Sequence, residues 1–98
     1  MVSLILMLVS ILKTYYENGQ LKQEVAFKDD KQDGPDKMYY ESGKLEGEWI
    51  FKDGKHEGKS KIFRENGSIA YIDIYKNGVK VNRKAYDEEG KLKFEQNY

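Results

Sequence analysis

Three sets of residues in this 98-residue chain have side chains suited to chemistry: an acidic run that begins at Asp29, a recurring glutamate, and one histidine. The acidic run is similar to a calcium loop, which needs oxygen ligands at positions 1, 3, 5 and 12 and a glycine at position 6. Counted from Asp29, Gly34 stands at position 6, but Lys31 and Tyr40 stand where two ligands are needed. We therefore expect a turn at this run and no metal site.

The recurring glutamate occupies one repeat position, as Glu24, Glu48 and Glu95. Acid–base catalysis of the glycosidase type needs two carboxylates that face each other across a cleft. Charge ladders with neighbouring lysines across strands explain the recurrence without a cleft. We therefore expect these glutamates to lie on a solvated sheet face.

The single histidine, His56, takes the repeat position that Gln32 and Lys80 hold elsewhere, where we expect an exposed turn and a solvated imidazole. A catalytic base also needs an oriented nucleophile, and no candidate stands near it in the sequence. The sequence therefore predicts a protein that is not an enzyme and that uses no cofactor.

Composition excludes several other classes. Lys and Arg total 17 and Asp and Glu total 17, so the formal net charge is zero. Nucleic-acid binders usually carry a clear cationic excess, so we expect no nucleic-acid partner. The chain has no cysteine, which excludes disulfides, thiolate zinc sites and thiol nucleophiles. Hydrophobic residues make up 39% and charged residues 35%, so the core should be thin.

An internal repeat must position these residues. A short aromatic–acidic motif that ends in glycine recurs, with its glycines at Gly19, Gly43, Gly67 and Gly90, separated by 24, 24 and 23 residues. Repeats at a fixed period stack as similar units. We predict an apolar N-terminal segment, 1–14, followed by a repeat domain, 15–98, with units 15–38, 39–62, 63–85 and 86–98.

Each unit has the pattern of a β-hairpin. Asn18-Gly19 and Asn66-Gly67 are typical of type I′ turns, and we expect a second turn at Asp33-Gly34, with Pro35 starting the next strand. Residues then alternate between an apolar and a charged face. The predicted apolar face carries Leu21, Val25, Phe27, Leu45, Trp49, Phe51, Ile69, Tyr71, Tyr75, Leu92, Phe94 and Tyr98; the other carries Lys22, Glu24, Glu46, Glu48, Lys93 and Glu95.

The third unit departs from this alternation. Ala70, Ile72 and Ile74 fall on the charged face, and Asp73 falls on the apolar one. We expect a bulge or a covering segment there. Taken together, the repeats predict an all-β fold: an elongated, single-layer antiparallel meander of hairpins with a 24-residue period.

The first twelve residues, MVSLILMLVSIL, are almost entirely apolar. As a helix they would span about 18 Å, short of the roughly 30 Å hydrocarbon core of a bilayer. We expect them to fold onto the domain as a cap strand or short helix. An atypical export signal and a membrane-surface or oligomerisation segment remain as alternatives, so cytoplasmic and exported or membrane-associated locations both stay open.

Aromatic side chains form columns along the repeats: Tyr15, Tyr39, Phe63 and Tyr86 in one, and Phe27, Phe51 and Tyr75 in another. One interpretation is that they pack on each other to hold the hairpins together. The other is that some of them line a groove for a peptide, since Tyr and Trp are enriched at binding hot spots. The predicted partner-binding residues are Trp49, Tyr39, Tyr71 and Phe51, with Trp49 the foremost.

The repeat resembles the bacterial variant of the MORN (membrane occupation and recognition nexus) repeat, often labelled the YwqK-type antitoxin family. The match runs over Tyr15 to Gly34, Tyr39 to Gly58, Phe63 to Asn82 and, in part, Tyr86 to Tyr98. Asp30 departs from the glycine of the pattern, and Val81-Asn82 lacks its Asp-Gly. The resemblance implies a module for protein or lipid contact, some members of which neutralise a neighbouring toxin, and it implies no catalytic residues.

The sequence therefore predicts a non-catalytic repeat module that binds a protein partner through a sheet face or an edge strand, with an antitoxin-like role as one form of that function. One alternative is a membrane-associated module that uses residues 1–12 and the aromatics. Another is a structural protein that self-associates through its exposed edges.

Overall fold

The computed structural model describes residues 9–98, and all of its regular structure is β. Short runs of alternating residues between glycine-containing turns favour strands over helices. The nine strands are β1 (Val9–Tyr15), β2 (Leu21–Lys28), β3 (Lys31–Tyr39), β4 (Leu45–Lys52), β5 (Lys55–His56), β6 (Gly58–Phe63), β7 (Ile69–Lys76), β8 (Val79–Tyr86) and β9 (Leu92–Asn97).

The strands form one open antiparallel sheet in the order β1-β2-β3-β4-β6-β7-β8-β9, with the short β5 also paired to β4. The molecule measures 59 × 37 × 16 Å, and its radius of gyration is 16.2 Å. A compact domain of this length would have a radius of gyration of about 13 Å. The predicted fold, a single-layer meander of repeated hairpins, is confirmed. Across residues 9–98 there is no helix long and apolar enough to cross a membrane.

The N-terminal segment contributes the first strand. Val9 to Tyr15 pair antiparallel with β2, from Val9 opposite Lys28 to Tyr15 opposite Leu21. For residues 9–12 the prediction of a cap strand is therefore confirmed. The prediction for residues 1–8 lies outside the described residues.

The turns at the aromatic–acidic motifs are not type I′, so that prediction was wrong. In the first unit Gly19 N–H donates to the carbonyl of Tyr16 at 3.0 Å, and Tyr16 N–H donates to the carbonyl of Gln20 at 2.9 Å. Gly19 has φ +88°, whereas Asn18 keeps a negative φ. This is a type I turn closed by a glycine bulge. Asn18 instead accepts the N–H of Gln20 on its Oδ1 at 2.9 Å.

The type I′ turns lie at the opposite end of the hairpins. Asp29-Asp30, Asp53-Gly54 and Asn77-Gly78 have positive φ at both residues, between +50° and +86°. In the first of them Lys28 lies opposite Lys31 across a two-residue loop. A two-residue I′ loop follows the right-handed twist of the strands, which explains why the sheet turns so tightly here.

Asp33-Gly34 is not a turn either. Both residues lie inside β3, and the register with β2 shifts between Val25, opposite Asp36, and Phe27, opposite Gln32. Gly34 has φ +104° at this irregularity. The Asp-Gly position is therefore a β-bulge, which accommodates Pro35 and increases the local twist.

Cross-strand partners divide the side chains into two faces. One face, called here the aromatic face, carries Trp49, Phe51, Tyr71 and their register partners. Among residues 9–98 it contains every residue below 9% exposure: Gly47 and five residues with longer side chains, namely Val25, Asp36, Ser60, Asp73 and Ala85. Only two of these five are hydrophobic, so the core is a thin layer on one side of the sheet.

Neighbouring units are joined at the type I end by the second residue of each motif. Tyr16 donates its hydroxyl to the carbonyl of Tyr39 at 2.6 Å, and Tyr40 donates to the carbonyl of Phe63 at 2.6 Å. In the third unit Arg64 does the same, from Nη2 to the carbonyl of Tyr86 at 2.7 Å.

The type I′ end is joined in an analogous way, by backbone and carboxylate acceptors of one hairpin. Gly54 N–H donates to the carbonyl of Gln32 at 2.8 Å, and Gly78 N–H donates to that of His56 at 2.9 Å. Asp33 accepts the N–H of Asp53 at 3.2 Å, and Glu57 accepts that of Asn77 at 2.9 Å. Each unit is therefore joined to the next by hydrogen bonds at both ends of its hairpin.

Candidate partner-binding face

Trp49, the foremost predicted contact residue, lies half-buried on β4, where its indole covers Gly47. A Cβ at residue 47 would lie 2.6 Å from Cζ3 of the indole and still nearer to Cη2. Glycine therefore permits the ring to lie flat along the strand. Trp49 lies opposite Asp36, which in turn accepts a hydrogen bond from Nε2 of Gln23 at 3.0 Å. The indole thus has a packing role and retains an open side.

Phe51, two residues further along β4, is half-buried in a short aromatic stack. The His56 ring lies 4.1 Å from the Phe51 ring and 4.7 Å from the Tyr75 ring of the next hairpin, centroid to centroid. His56 is therefore not the solvated turn residue that we expected. Its Nδ1 is buried without a hydrogen-bond partner among residues 9–98. It connects two repeats by packing, which is the structural interpretation of this aromatic column.

Tyr71 lies half-buried beneath a cation. The guanidinium of Arg83 lies 4.2 Å from the Tyr71 ring centroid. The same guanidinium donates from Nε and Nη2 to the two carboxylate oxygens of Asp73, at 2.8 and 2.9 Å. Nζ of Lys80 lies 3.6 Å from Asp73 as well. Tyr71 is therefore held by an ion-pair cluster rather than left free to move.

Of the two features expected in the third unit, a bulge or a covering segment, the structure shows a bulge. The register shift of β7 against β8 falls just beyond Asp73, between Ile74 and Tyr75, and leaves Asp73 directly opposite Arg83. Asp73 is 1% exposed, although no separate segment of residues 9–98 lies over this part of the sheet. A neighbouring cation on the next strand compensates for the buried charge.

Tyr39, the fourth predicted residue, is half-buried at the end of β3, opposite Leu45. Its carbonyl accepts the Tyr16 hydroxyl, so its backbone lies in a junction between units. The structure therefore places Trp49, Phe51 and Tyr71 on the aromatic face, over β4 and β7, whereas Tyr39 alternates with Met38 and lies on the opposite face, with Lys37.

Protonation on and around this face is set by local contacts. The hydrogen bonds to Asp73 raise the pKa of Arg83, so the guanidinium stays charged. Loss of hydration raises the pKa of the Tyr16 hydroxyl, with Glu46 and Glu41 adding to the effect. The pKa of Tyr40 is raised in the same way, with Glu46 and Glu65 contributing. The roles of Tyr16 and Tyr40 were missed in the sequence, although their repetition 24 residues apart was the available signal.

Metal binding finds no geometric support in the part of the chain that is described. Residues 9–98 contain no group of three or more histidine, aspartate or glutamate side chains placed to hold an ion. The acidic run at Asp29 instead forms a type I′ turn and, at Asp33, accepts a backbone N–H. These carboxylates act in turn geometry and in joining the repeats.

Comparison with known proteins agrees with the repeat geometry. The sequence model of the MORN repeat variant family matches four stretches, residues 8–29, 32–53, 57–77 and 82–98, which together cover most of the chain. A search of curated proteins found no significant match. Each matched stretch spans a hairpin and its adjoining turn. On this match, the chain belongs to the MORN repeat variant family.

Proposed function

We propose that this protein is a non-catalytic module that binds another protein by accepting one of its strands against β1. The proposal is carried by the exposure of this edge. All seven residues of β1 are exposed, and four of them are large and apolar. The exposed fractions are 66% for Val9, 60% for Ile11, 54% for Leu12 and 60% for Tyr15.

Native edge strands are normally protected by charges, prolines, bulges or short length. β1 is seven residues long and carries one charge, Lys13, and among residues 9–98 it pairs with β2 alone. The opposite edge, β9, carries both Lys93 and Glu95 within six residues. Of the two edges, β1 is therefore the one suited to strand addition, in which backbone hydrogen bonds give affinity and alternate side chains give specificity.

Catalysis is not part of the proposal. A general base must lie within hydrogen-bond reach of the group that it deprotonates. The one imidazole of the chain is instead stacked between Phe51 and Tyr75. A bacterial, antitoxin-like role is the narrower form of the proposal, in which the added strand belongs to a toxin. It is supported by the resemblance of the repeats to the antitoxin-like variant.

The test is an affinity capture with the tagged full chain from a lysate of the source organism, followed by mass spectrometry. Wild type is compared with Ile11→Lys, which places a charge in the middle of β1. The matched control is Val79→Lys on the interior strand β8, because Val79 is 63% exposed and Ile11 60%. We expect a stoichiometric partner with wild type and Val79→Lys, and its loss with Ile11→Lys.

Three results would overturn the proposal. If Ile11→Lys retains the partner in full, β1 is not the binding edge. If wild type captures no protein and sediments as a dimer that Ile11→Lys dissociates, the edge serves self-association. Binding to liposomes by wild type, without capture of any protein, would instead favour the membrane-surface alternative.

A further inference from the structure

A row of charges crosses the face opposite the aromatic face, one residue from each long strand. Its members are direct cross-strand neighbours, and their signs alternate from one strand to the next except at one uncharged position. In order the row is Lys13, Glu24, Lys37, Glu48, Lys61, Ile72, Lys84 and Glu95. Opposite charges directly across strands stabilise a sheet. The glutamate is the one that recurs in every unit except the third, where Ile72 replaces it.

The intact part of the row forms ion pairs. Lys13 Nζ lies 3.9 Å from a carboxylate oxygen of Glu24, and Lys37 Nζ lies 3.8 Å from one of Glu48. Around Ile72 this pairing stops. Neither Lys61 nor Lys84 forms a salt bridge within residues 9–98. The nearest glutamate on the far side, Glu95, accepts a hydrogen bond from Asn82 at 3.0 Å instead.

The interruption of the charge row at Ile72, called here the gap, has an apolar surface. Ile72 is flanked directly by Lys61 on β6 and Lys84 on β8, and Ile74, two residues on, lies between Lys59 and Asn82. A shallow groove of about 240 Å³ follows this surface, lined in part by both isoleucines, Lys59 and Lys84. Both isoleucines are partly exposed.

We infer that this gap binds an acidic segment of a protein partner, with one carboxylate side chain in the place of the missing glutamate. Adjacent strands lie about 4.8 Å apart, so the backbones of Lys61 and Lys84 are roughly 10 Å apart, and both ammonium groups can converge on one carboxylate above Ile72. An apolar side chain two positions along the segment would contact Ile74. The site is on the sheet face, distinct from β1, and does not depend on edge pairing.

Charge around the gap selects this occupant over a nucleic acid. Glu48 and Glu95 stand at the next positions of the row on either side. A run of phosphates crossing the face would therefore meet a carboxylate beyond each lysine. A single carboxylate flanked by apolar residues meets only the two cations, because the positive region is two lysines wide.

The probe is a fluorescein-labelled ten-residue peptide in which every second residue is in turn glutamate or leucine and the residues between them are serine. It is titrated with the full chain and followed by fluorescence anisotropy. A second peptide has glutamine in place of every glutamate. The decisive variant is Ile72→Glu, which restores the residue that the other units carry and should fold for that reason. We expect it to bind the acidic peptide at least about tenfold more weakly than wild type.

Lysine variants keep the test valid if Ile72→Glu fails to fold. Lys61→Gln and Lys84→Gln should each weaken binding about three- to fivefold. Lys37→Gln is the matched control, because Lys37 stands in the same row but already pairs with Glu48. It should leave the affinity unchanged, and the glutamine peptide should bind wild type at least about tenfold more weakly than the acidic one.

Several outcomes would overturn the inference: no binding by wild type, equal affinity for the glutamine peptide, or an equal loss with Lys37→Gln. Unchanged affinity in a folded Ile72→Glu would overturn it as well. Ile11→Lys is measured on the same peptide to separate the two surfaces. Loss with Ile11→Lys and not with Ile72→Glu would place the peptide at β1, which supports the proposed function and removes the face site.

Discussion

Asp73 and Arg83 face each other across β7 and β8 in a two-pronged ion pair, with donor–acceptor distances of 2.8 and 2.9 Å. The aspartate is 1% exposed, and the guanidinium side chain keeps 24% of its surface. Two parallel hydrogen bonds fix the orientation of both groups. The most deeply buried side chain of the aromatic face is therefore a charge, held by a partner one strand away.

Removing the aspartate alone should destabilise the protein strongly. Asp73→Val introduces a valine, the residue found at the equivalent position of the first unit, Val25. The substitution leaves the Arg83 guanidinium without its carboxylate partner. We expect a loss of roughly 3 kcal/mol in the free energy of unfolding, toward the lower end of the range for breaking a buried pair because Arg83 reaches water. Urea denaturation followed by circular dichroism measures it.

The double variant Asp73→Val/Arg83→Leu should recover most of that loss, since replacing both partners of a buried pair by apolar residues is often neutral. The coupling free energy from the four proteins gives the strength of the interaction. A double variant as unstable as Asp73→Val alone would show that the loss comes from packing of the valine and not from an unpaired guanidinium.

Over the regular part of each strand the two faces could be predicted from the sequence, because alternation within a strand needs no knowledge of the neighbouring strand. Register shifts interrupt the alternation at the first residues of four strands, Leu21, Leu45, Ile69 and Leu92. The compensation of Asp73 could not be predicted. It depends on which residue of β8 stands opposite, and that register is set by the Asn77-Gly78 loop and by the shift between Ile74 and Tyr75. A pattern along one strand places a charge on a face without identifying its partner.

The turns illustrate the same limit. Asn18-Gly19 has the residue pair that favours a two-residue type I′ turn. The loop instead contains three residues, 17–19, and only Gly19 adopts positive φ. The Tyr16 hydroxyl bond to the next unit and the Asn18 bond to the carbonyl of Glu41 hold this end of the hairpin. The Asn-Gly dipeptide alone permits both a type I′ turn and a type I turn with a glycine bulge, and the contacts between repeats favour the second.

The first type I′ turn offers a stabilising substitution. Asp30 adopts φ +66° where the equivalent turns have Gly54 and Gly78. An L-residue in this left-handed region is strained, by roughly 1 kcal/mol, although glycine also loses more entropy on folding. We expect Asp30→Gly to raise the free energy of unfolding by about 0.5 kcal/mol.

The reciprocal variant, Gly54→Asp, should lower stability by a similar amount, and both are measured as shifts of the urea midpoint. Equal midpoints for wild type and Asp30→Gly would mean that the aspartate side chain compensates for its own backbone strain. A lower midpoint for Asp30→Gly would contradict the prediction outright.

Tyr16 and Tyr40 predict how stability changes in alkaline solution. Their folded-state pKa values are raised above the ordinary 10.0, chiefly because folding removes hydration, so the unfolded chain ionises first. Their contribution is fully present below the unfolded pKa and is lost as the pH rises through the folded pKa. We expect stability to fall as the pH increases beyond 10.0.

The variant Tyr16→Phe/Tyr40→Phe should be less stable than wild type at neutral pH, because two carbonyls lose their donors, and should lose less stability on going to strongly alkaline solution. Tyr15→Phe is the control for the removal of a tyrosine hydroxyl, since Tyr15 is 60% exposed. Parallel pH profiles for wild type and the double variant would show that these two hydroxyls do not cause the dependence.

Gly47 and Trp49 allow the packing role of the indole to be separated from a role in partner binding. Because a Cβ at residue 47 would lie 2.6 Å from Cζ3, Gly47→Ala must displace the ring. We expect a loss of about 1–3 kcal/mol, typical of overpacking. In the Trp49→Ala background the same substitution should cost much less, because the clash is absent, and a double-mutant cycle by urea denaturation would give a coupling free energy of at least about 1 kcal/mol.

Additive losses would mean that the ring already lies away from Gly47 in solution. A partner affinity that falls with Trp49→Ala while Gly47→Ala leaves it unchanged would then assign the indole to binding instead of to the sheet.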